Sequence, residues 1–359
     1  MHLKELRIDN LRNIETLSIE LAPGLNVFEG GNGAGKSSVL EAAYLLSHGT
    51  SFRTHKPELL IRRGSEELSL FARVAGGLGE RRLGMQRSGG RWTARIDGET
   101  PPTLNELLAC CAVVCFEPGS HELISGSAEG RRRYLDWGMF HVEPSYVDLS
   151  KHVRRALRQR NAALKQQAGD DELSVWDEEL AGAAEPLTDL REHHVRRLAD
   201  QIRALSGRFL PELGEVSVTF RPGWDRSRPL AQALAEASAR DRFRGYTSRG
   251  PHRADWLLSF ENAPVREQLS RGQEKLCAIA CMLAQANIYR QAREEWPIVA
   301  LDDFCSELDT PHQVQCMSAL IDSGAQILLT GTDIPAMLQD RFPASRRFHV
   351  EQGKVRALL

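Results

Sequence analysis

The chain has 359 residues, more than one hydrophobic core ordinarily spans, so two lobes are the starting expectation. Its make-up, 42% hydrophobic and 26% charged, is that of a soluble globular protein, and no apolar run is long enough to cross a bilayer, which excludes a membrane-spanning role. A formal net charge of -2 leaves only local patches for any contact with nucleic acid.

The start, Met1-His2-Leu3-Lys4-Glu5, carries charge where a secretory leader needs an apolar run, so a cytoplasmic location is expected. Residues 3–8 and 17–21 alternate in the period of half-buried strands, and 24–29 reads as a third strand running into a glycine loop. A helix follows from Lys36 to about Leu46. Strand-like pieces continue at 68–74, 82–87, 92–96 and 112–116. The cysteines near the last of these (Cys110, Cys111, Cys115) share an apolar run, and Cys277 and Cys281 lie one helical turn apart. No CxxC pair occurs and the total of seven is odd, so buried thiols are expected rather than zinc ligands or disulfides.

From about Gly126 the pattern becomes helical. Tyr146, Leu149, Val153, Leu157 and Leu164 recur at helical spacing, as do Leu187, Leu190, Leu198, Ile202, Leu205 and Phe209, which predicts two helices forming an arm. Residues 131–165 hold nine Lys/Arg against three Asp/Glu, whereas 170–189 hold eight acidic residues and no basic one. Two readings stay open: the helices pair with each other by charge, or Arg131–Arg133, Lys151, Arg154, Arg155 and Arg158 contact nucleic-acid phosphates. The last third returns to alternation, with a helix from Arg271 to about Arg290 and buried parallel strands at 297–301 and 326–330.

Gly30-Gly31-Asn32-Gly33-Ala34-Gly35-Lys36-Ser37, followed by Ser38, fits the phosphate-binding loop G-x-x-x-x-G-K-[ST] (Walker A) between a strand and a helix. Glycines let successive N–H groups turn toward phosphate oxygens, and the helix start adds partial positive charge. Lys36 supplies a point charge to the β- and γ-phosphates of ATP, and the Ser37 hydroxyl suits Mg2+. Downstream, Ile298–Leu301 runs into Asp302 and Asp303. Asp302 is placed to hold Mg2+, and Asp303 to orient the attacking water. Arg12 has two readings, a contact to a nucleotide phosphate or a surface residue at a strand turn. His252 after Pro251 reads as a turn residue.

Leu269-Ser270-Arg271-Gly272-Gln273 resembles the signature of ABC-type ATPases, and Ser306-Glu307-Leu308-Asp309 resembles their dimer-contacting loop. That resemblance implies that Ser270, Gly272 and Gln273 of one copy close over ATP held by another, giving an ATP-dependent homodimer. Lys36 and Ser270 lie 234 positions apart (270 minus 36), enough for a compact arm but without the long heptad repeat of SMC proteins. Leu11-Arg12-Asn13, Gly49–Thr54, Arg131–Gly138, Gly250–Arg253 and Leu269–Leu276 are similar, in order, to the RecF family. The resemblance implies an α/β, ABC-type P-loop ATPase head with an inserted, mainly helical arm. The implied boundaries are 1–125 for the first part of the head, 126–245 for the arm and 246–359 for the return. It further implies a weak, DNA-stimulated ATPase of DNA replication and recombinational gap repair. The implied partners are double-stranded, gapped or single-stranded DNA and RecR, with RecO and RecA acting functionally; no membrane partner is expected.

Three positions depart from the wider ABC pattern. Asp303 stands where transporters carry Glu, so slow hydrolysis is expected. Thr330-Gly331-Thr332-Asp333 stands where they carry a switch histidine, with Thr332 as a candidate γ-phosphate sensor. Glu117-Pro118-Gly119-Ser120-His121 replaces the Ser-Pro-Glu-type sequence usual in RecF, and no Q-loop glutamine is evident. A reading from another class stays open, in which the nucleotide switches protein assembly and DNA contact is incidental.

Overall fold

Strand β1 (His2–Leu11) buries Leu3, Leu6, Ile8 and Leu11, and an irregularity between Leu3 and Glu5 shifts the alternation by one residue so that both halves face the core. The computed structural model describes residues 1–77 and 79–358. They fall into two units, 1–120 with 271–359, and 121–270. In the first unit β1 is joined by β2 (Ile14–Glu20), and β3 (Leu25–Glu29) leads through a loop into α1 (Lys36–His48). Then come β4 (Glu67–Gly76), β5 (Gly79–Ser88), β6 (Arg91–Ile96), α2 (Leu104–Ala109) and β7 (Val113–Phe116). Strands β2-β1-β4-β5-β6 form an antiparallel sheet.

The second unit holds α3 (Glu122–Ser125), α4 (Ala128–Val142), α5 (Tyr146–Lys165), α6 (Asp170–Phe209), β8 (Val216–Arg221), α7 (Leu230–Arg244) and β9 (Asp255–Phe260). The acidic run 170–189 forms the first half of α6, which spans 40 residues and passes through Pro186. An interior proline costs a helix about 3 kcal/mol. Burial of Leu180, Ala184 and Leu187 on either side of it offsets that cost. Strand β9 pairs antiparallel with β8. For that reason the boundary after the arm lies at residue 270 and not at the expected 245: residues 246–270 belong with the helices.

Charge pairing between α5 and α6 is realised at one buried point. Arg160, fully buried, donates from Nε to Asp177 Oδ1 (2.5 Å), and from Nη1 to Asp241 Oδ2 (2.7 Å) and Thr247 Oγ1 (2.9 Å). Burial pushes the Asp177 carboxyl up, opposed by its bond to Arg160.

The chain re-enters the first unit with α8 (Arg271–Arg293), then β10 (Ile298–Leu301), α9 (Phe304–Glu307), α10 (Thr310–Ser323), β11 (Ile327–Gly331), α11 (Ala336–Arg341), β12 (Arg346–Glu351) and β13 (Lys354–Leu358). A six-stranded sheet results, in the order β13-β12-β3-β11-β10-β7, with all neighbours parallel except the edge strand β13. Ile298, Val299, Ala300 and Leu301 are fully buried, as expected of a parallel strand covered on both faces. Helix α1 packs against β1 and against β7, β10 and β11. The carboxyl ends of β3, β7, β10 and β11 therefore share one sheet edge, where open α/β sheets bind their ligands. No helix among the described residues is long and apolar enough to cross a membrane, and none of the seven cysteines is in a disulfide.

Candidate functional site

The loop from Gly30 to Ser37 leaves β3 at that edge. Gly33 (φ 74°) and Gly35 (φ 115°) need glycine for their backbone angles. Gly30 needs it for space, since a Cβ there would lie 2.0 Å from the Val350 carbonyl oxygen. Helix α1 starts without a side-chain cap, and the N–H groups of Gly35, Lys36 and Ser37 meet no backbone acceptor among the described residues. Such a helix start is an anion site. Lys36, 4% exposed, donates from Nζ to the carbonyls of Gly30 (2.9 Å) and Gly31 (3.0 Å), which holds its charge beneath the loop. Asn32 is exposed at the crest, and buried Ser38 lies 3.4 Å from Asn13 Oδ1. Asn13 also donates from Nδ2 to the Gly33 carbonyl (3.0 Å), a bracing role the sequence pattern did not reveal.

Across the edge, β10 delivers Asp302, 4% exposed. Thr330 on β11 donates from Oγ1 to Asp302 Oδ1 (2.7 Å) and accepts the Asp303 N–H at the same oxygen (2.9 Å). One hydroxyl thus sets the spacing of the two acids. Asp303 sits in the left-handed region (φ 48°), unusual for a residue other than glycine. Burial pushes the Asp302 carboxyl up, hydrogen bonds from Thr330 and Ser37 pull it down, Asp303 raises it and Arg53 lowers it. Ser37 is thus the loop hydroxyl that acts on the Asp302 carboxyl. No group of three or more His, Cys, Asp or Glu among the described residues could hold a metal alone. A hydroxyl and one carboxylate fit Mg2+, which binds through one or two protein oxygens plus water and phosphate.

Thr330→Val keeps the shape of this side chain and removes the bridging hydroxyl. The expected result is ATP turnover about tenfold or more below wild type, with a stability loss of about 1–3 kcal/mol for the unsatisfied Asp302 oxygen. Steady-state phosphate release and a urea titration check it; unchanged turnover would show that Thr330 does not hold the pair. The candidate sensor Thr332 lies exposed one residue past β11, two positions beyond the Thr330 that bonds Asp302.

Arg12 lies at the β1–β2 turn with 19% of its side chain exposed. Its guanidinium donates from Nε (2.9 Å) and Nη2 (2.7 Å) to the buried carboxylate of Glu41 on α1, and from Nη1 to the Leu59 carbonyl (2.8 Å). The Ser51 hydroxyl donates to the same carboxylate, and Arg53 stands 3.9 Å from it. Arg12 is thereby a half-buried anchor between the β1–β2 turn and α1.

Helix α8 begins at Arg271, so Gly272 and Gln273 occupy its first turn, and Ser270, Arg271 and Gly272 are exposed. Behind them Lys275 pairs with Glu307 (2.6 Å) and joins α8 to the segment after the acidic pair. That segment is further held by Ser306 Oγ donating to the Asp303 carbonyl (2.7 Å) and by Gln313 donating to the Cys305 and Leu308 carbonyls (2.7 Å each).

The basic run of the arm is mixed in role. Arg131 is 5% exposed and donates to both carboxylate oxygens of Asp255 (2.7 and 3.0 Å) and to the Gly126 carbonyl (2.8 Å). It holds α4 to β9 and is not a phosphate contact. Arg132 donates to the Ala254 carbonyl, Arg133 pairs with Glu129, and Lys151 lies 3.8 Å from Asp148. Arg154, Arg155 and Arg158 remain exposed on α5 with no ion pair among the described residues. His252 lies 2.9 Å, through Nε2, from the Thr247 carbonyl and is held below its usual pKa by burial, consistent with a turn residue.

The family described as RecF/RecN/SMC N terminal domain matches residues 2–341. The DNA replication and repair protein RecF of Stenotrophomonas maltophilia (strain R551-3) is 47% identical, with 100% of both chains covered. RecF of Xanthomonas oryzae pv. oryzae (strain MAFF 311018) is 48% identical, covering 99% of this chain and 100% of that one. Among solved structures, the recombination mediator protein RecF with ATP superposes with a TM-score of 0.91 at 25% identity, covering 100% of this chain and 98% of that one. An Smc head bound to the C-winged helix domain of ScpA gives 0.59 at 14% identity, a likeness of fold alone. With residues 2–341 matched by that family and 47–48% identity to RecF proteins over nearly the whole of both chains, this chain belongs to the RecF family.

Proposed function

We propose that the chain is a slow ATPase of DNA replication and recombinational repair that uses ATP to join two copies on DNA. The observation that carries this reading is the meeting, at one sheet edge, of the Gly30–Ser37 loop with the Asp302–Thr330–Asp303 chain. Backbone N–H groups of the loop and Lys36 bind and orient the phosphates, and Ser37 with Asp302 would hold Mg2+. The metal, when bound, neutralises charge building on the phosphate oxygens. Asp303 orients the attacking water. Its side chain is one methylene shorter than the Glu of transporters, which suits slow hydrolysis and a long-lived ATP state.

The exposed start of α8 suits a site completed by a second copy. Ser270, the Gly272 N–H and Gln273 approach the γ-phosphate from the other subunit, and loss of that phosphate removes the contact. Since only the ATP form supplies it, nucleotide state sets the dimer population. Arg154, Arg155 and Arg158 on α5 form the basic patch offered to DNA, which favours DNA binding over a purely protein-directed switch. Action alongside RecR, RecO and RecA is part of this reading, and the RecFOR pathway in which the ATP-bound relative is placed supports it.

Each phosphate contact contributes about -0.9 to the slope of log affinity against log salt. Reversing all three arginines to Glu is expected to make the slope shallower by about 3 on a duplex of arbitrary sequence. A slope and affinity equal to wild type would move the DNA surface off α5.

A further inference from the structure

We infer that the C-terminal hairpin β12–β13 is a positioning element of the phosphate loop and acts through Gly353. The inference rests on the reading of Gly30–Ser37 as a nucleotide site. Gln352 (φ 47°) and Gly353 (φ 78°) make a two-residue turn closed by the Glu351–Lys354 pair, the geometry of a tight hairpin in which both central residues have positive φ. Pairing of β12 with β3 ends at His349 opposite Glu29, so the turn lies beyond the parallel ladder. Its backbone bond goes to the loop instead: the Gly353 N–H donates to the Ala34 carbonyl at 2.7 Å.

That bond has a directional consequence. A trans peptide points its C=O and N–H to opposite sides. Holding the Ala34 carbonyl from the hairpin side turns the Gly35 N–H the other way, beside the N–H groups of Lys36 and Ser37 that open α1. The hairpin touches the loop a second time, since a Cβ on Gly30 would lie 2.0 Å from the Val350 carbonyl oxygen. It is also wedged from behind. A Cβ on Gly353 would lie 2.2 Å from the Asn13 carbonyl oxygen, while the Asn13 side chain holds the Gly33 carbonyl. The two turns at Asn13 and Gly353 therefore grip successive peptides of the loop, 33–34 and 34–35, by their carbonyls. Both contacts of the hairpin with the loop run through its backbone, so glycine at 353 is their chief demand on sequence.

Two variants test this. Gly353→Ala drives a methyl group into the Asn13 carbonyl. A one-glycine insertion between Gln352 and Gly353 lets the hairpin close on a longer turn and takes the donor out of register. The dissociation constant for ATP is measured by calorimetry on the full chain, with circular dichroism and melting of the nucleotide-free protein alongside. Both variants are expected to weaken ATP binding by about tenfold or more, whereas Gln352→Asn, which keeps the turn geometry, binds as wild type. If Gly353→Ala fails to fold, the insertion decides. A folded variant of either kind that binds ATP within about twofold of wild type overturns the inference. Failure of the wild-type chain itself to bind ATP would overturn the nucleotide reading, and the inference with it.

Discussion

Lys36→Met is expected to leave the chain folded and to lower ATP turnover by about two to three orders of magnitude, the usual cost of removing one preorganised charge from a developing anion. Lys36 is buried, and its ammonium is fixed by the carbonyls of Gly30 and Gly31, so its charge is in place before nucleotide arrives. Methionine fills nearly the same volume without charge and loses the two loop bonds. Removing a charged donor from two carbonyls at a partly open loop is not expected to unfold the unit. Single-turnover hydrolysis, with nucleotide affinity measured separately, checks the outcome. Turnover within threefold of wild type would remove Lys36 from the site.

The second large effect lies in the arm. Arg160→Ala strands two carboxylates, Asp177 and Asp241, in a place that excludes water, and is expected to destabilise the second unit by about 3–5 kcal/mol. The loss comes from uncompensated buried charge, so adding Asp177→Asn and Asp241→Asn to the same chain should recover part of it. A urea titration followed by tryptophan fluorescence reads both. A loss under 1 kcal/mol would mean that water reaches the carboxylates. Since Arg160 lies on α5 beside the exposed arginines, this variant also separates a folding defect from a DNA-binding defect: loss of DNA binding on reversing Arg154, Arg155 and Arg158 counts only if the arm still unfolds at the wild-type midpoint.

What could be read from sequence follows how local each feature is. The loop Gly30–Ser37 is eight consecutive residues between one strand and one helix, and Asp302–Asp303 ends a run of apolar residues, so both sites of the chemistry show in a linear pattern. Thr330, Glu41, Asn13 and Gly353 do not, because each acts on a partner far along the chain; Thr330 reaches Asp302 28 positions away. Arg131 looks like part of a basic patch until Asp255, 124 positions on, is found against it. Arg12 was ambiguous for the same reason, its partner Glu41 lying on the helix that follows the loop. The arm boundary needed the pairing of β8 with β9, whose strands are short and flanked by charge. That one helix runs through Pro186 does not show in the sequence, because proline disfavours a helix interior, while the burial of Leu180, Ala184 and Leu187 that holds it is a property of packing.

Molecular mass in solution tests the central claim most directly: light scattering on the chain without nucleotide, with ATP, and with ATP plus duplex DNA, beside Lys36→Met and Ser270→Arg. The expected result is a shift from one copy to two on adding ATP, strengthened by DNA and blocked by both substitutions. Ser270→Arg should do so while still binding ATP, because Ser270 serves the site of the other copy. A mass that ignores ATP while the nucleotide is bound would contradict a site completed in trans, and would leave an ATPase whose signature helix has some other partner.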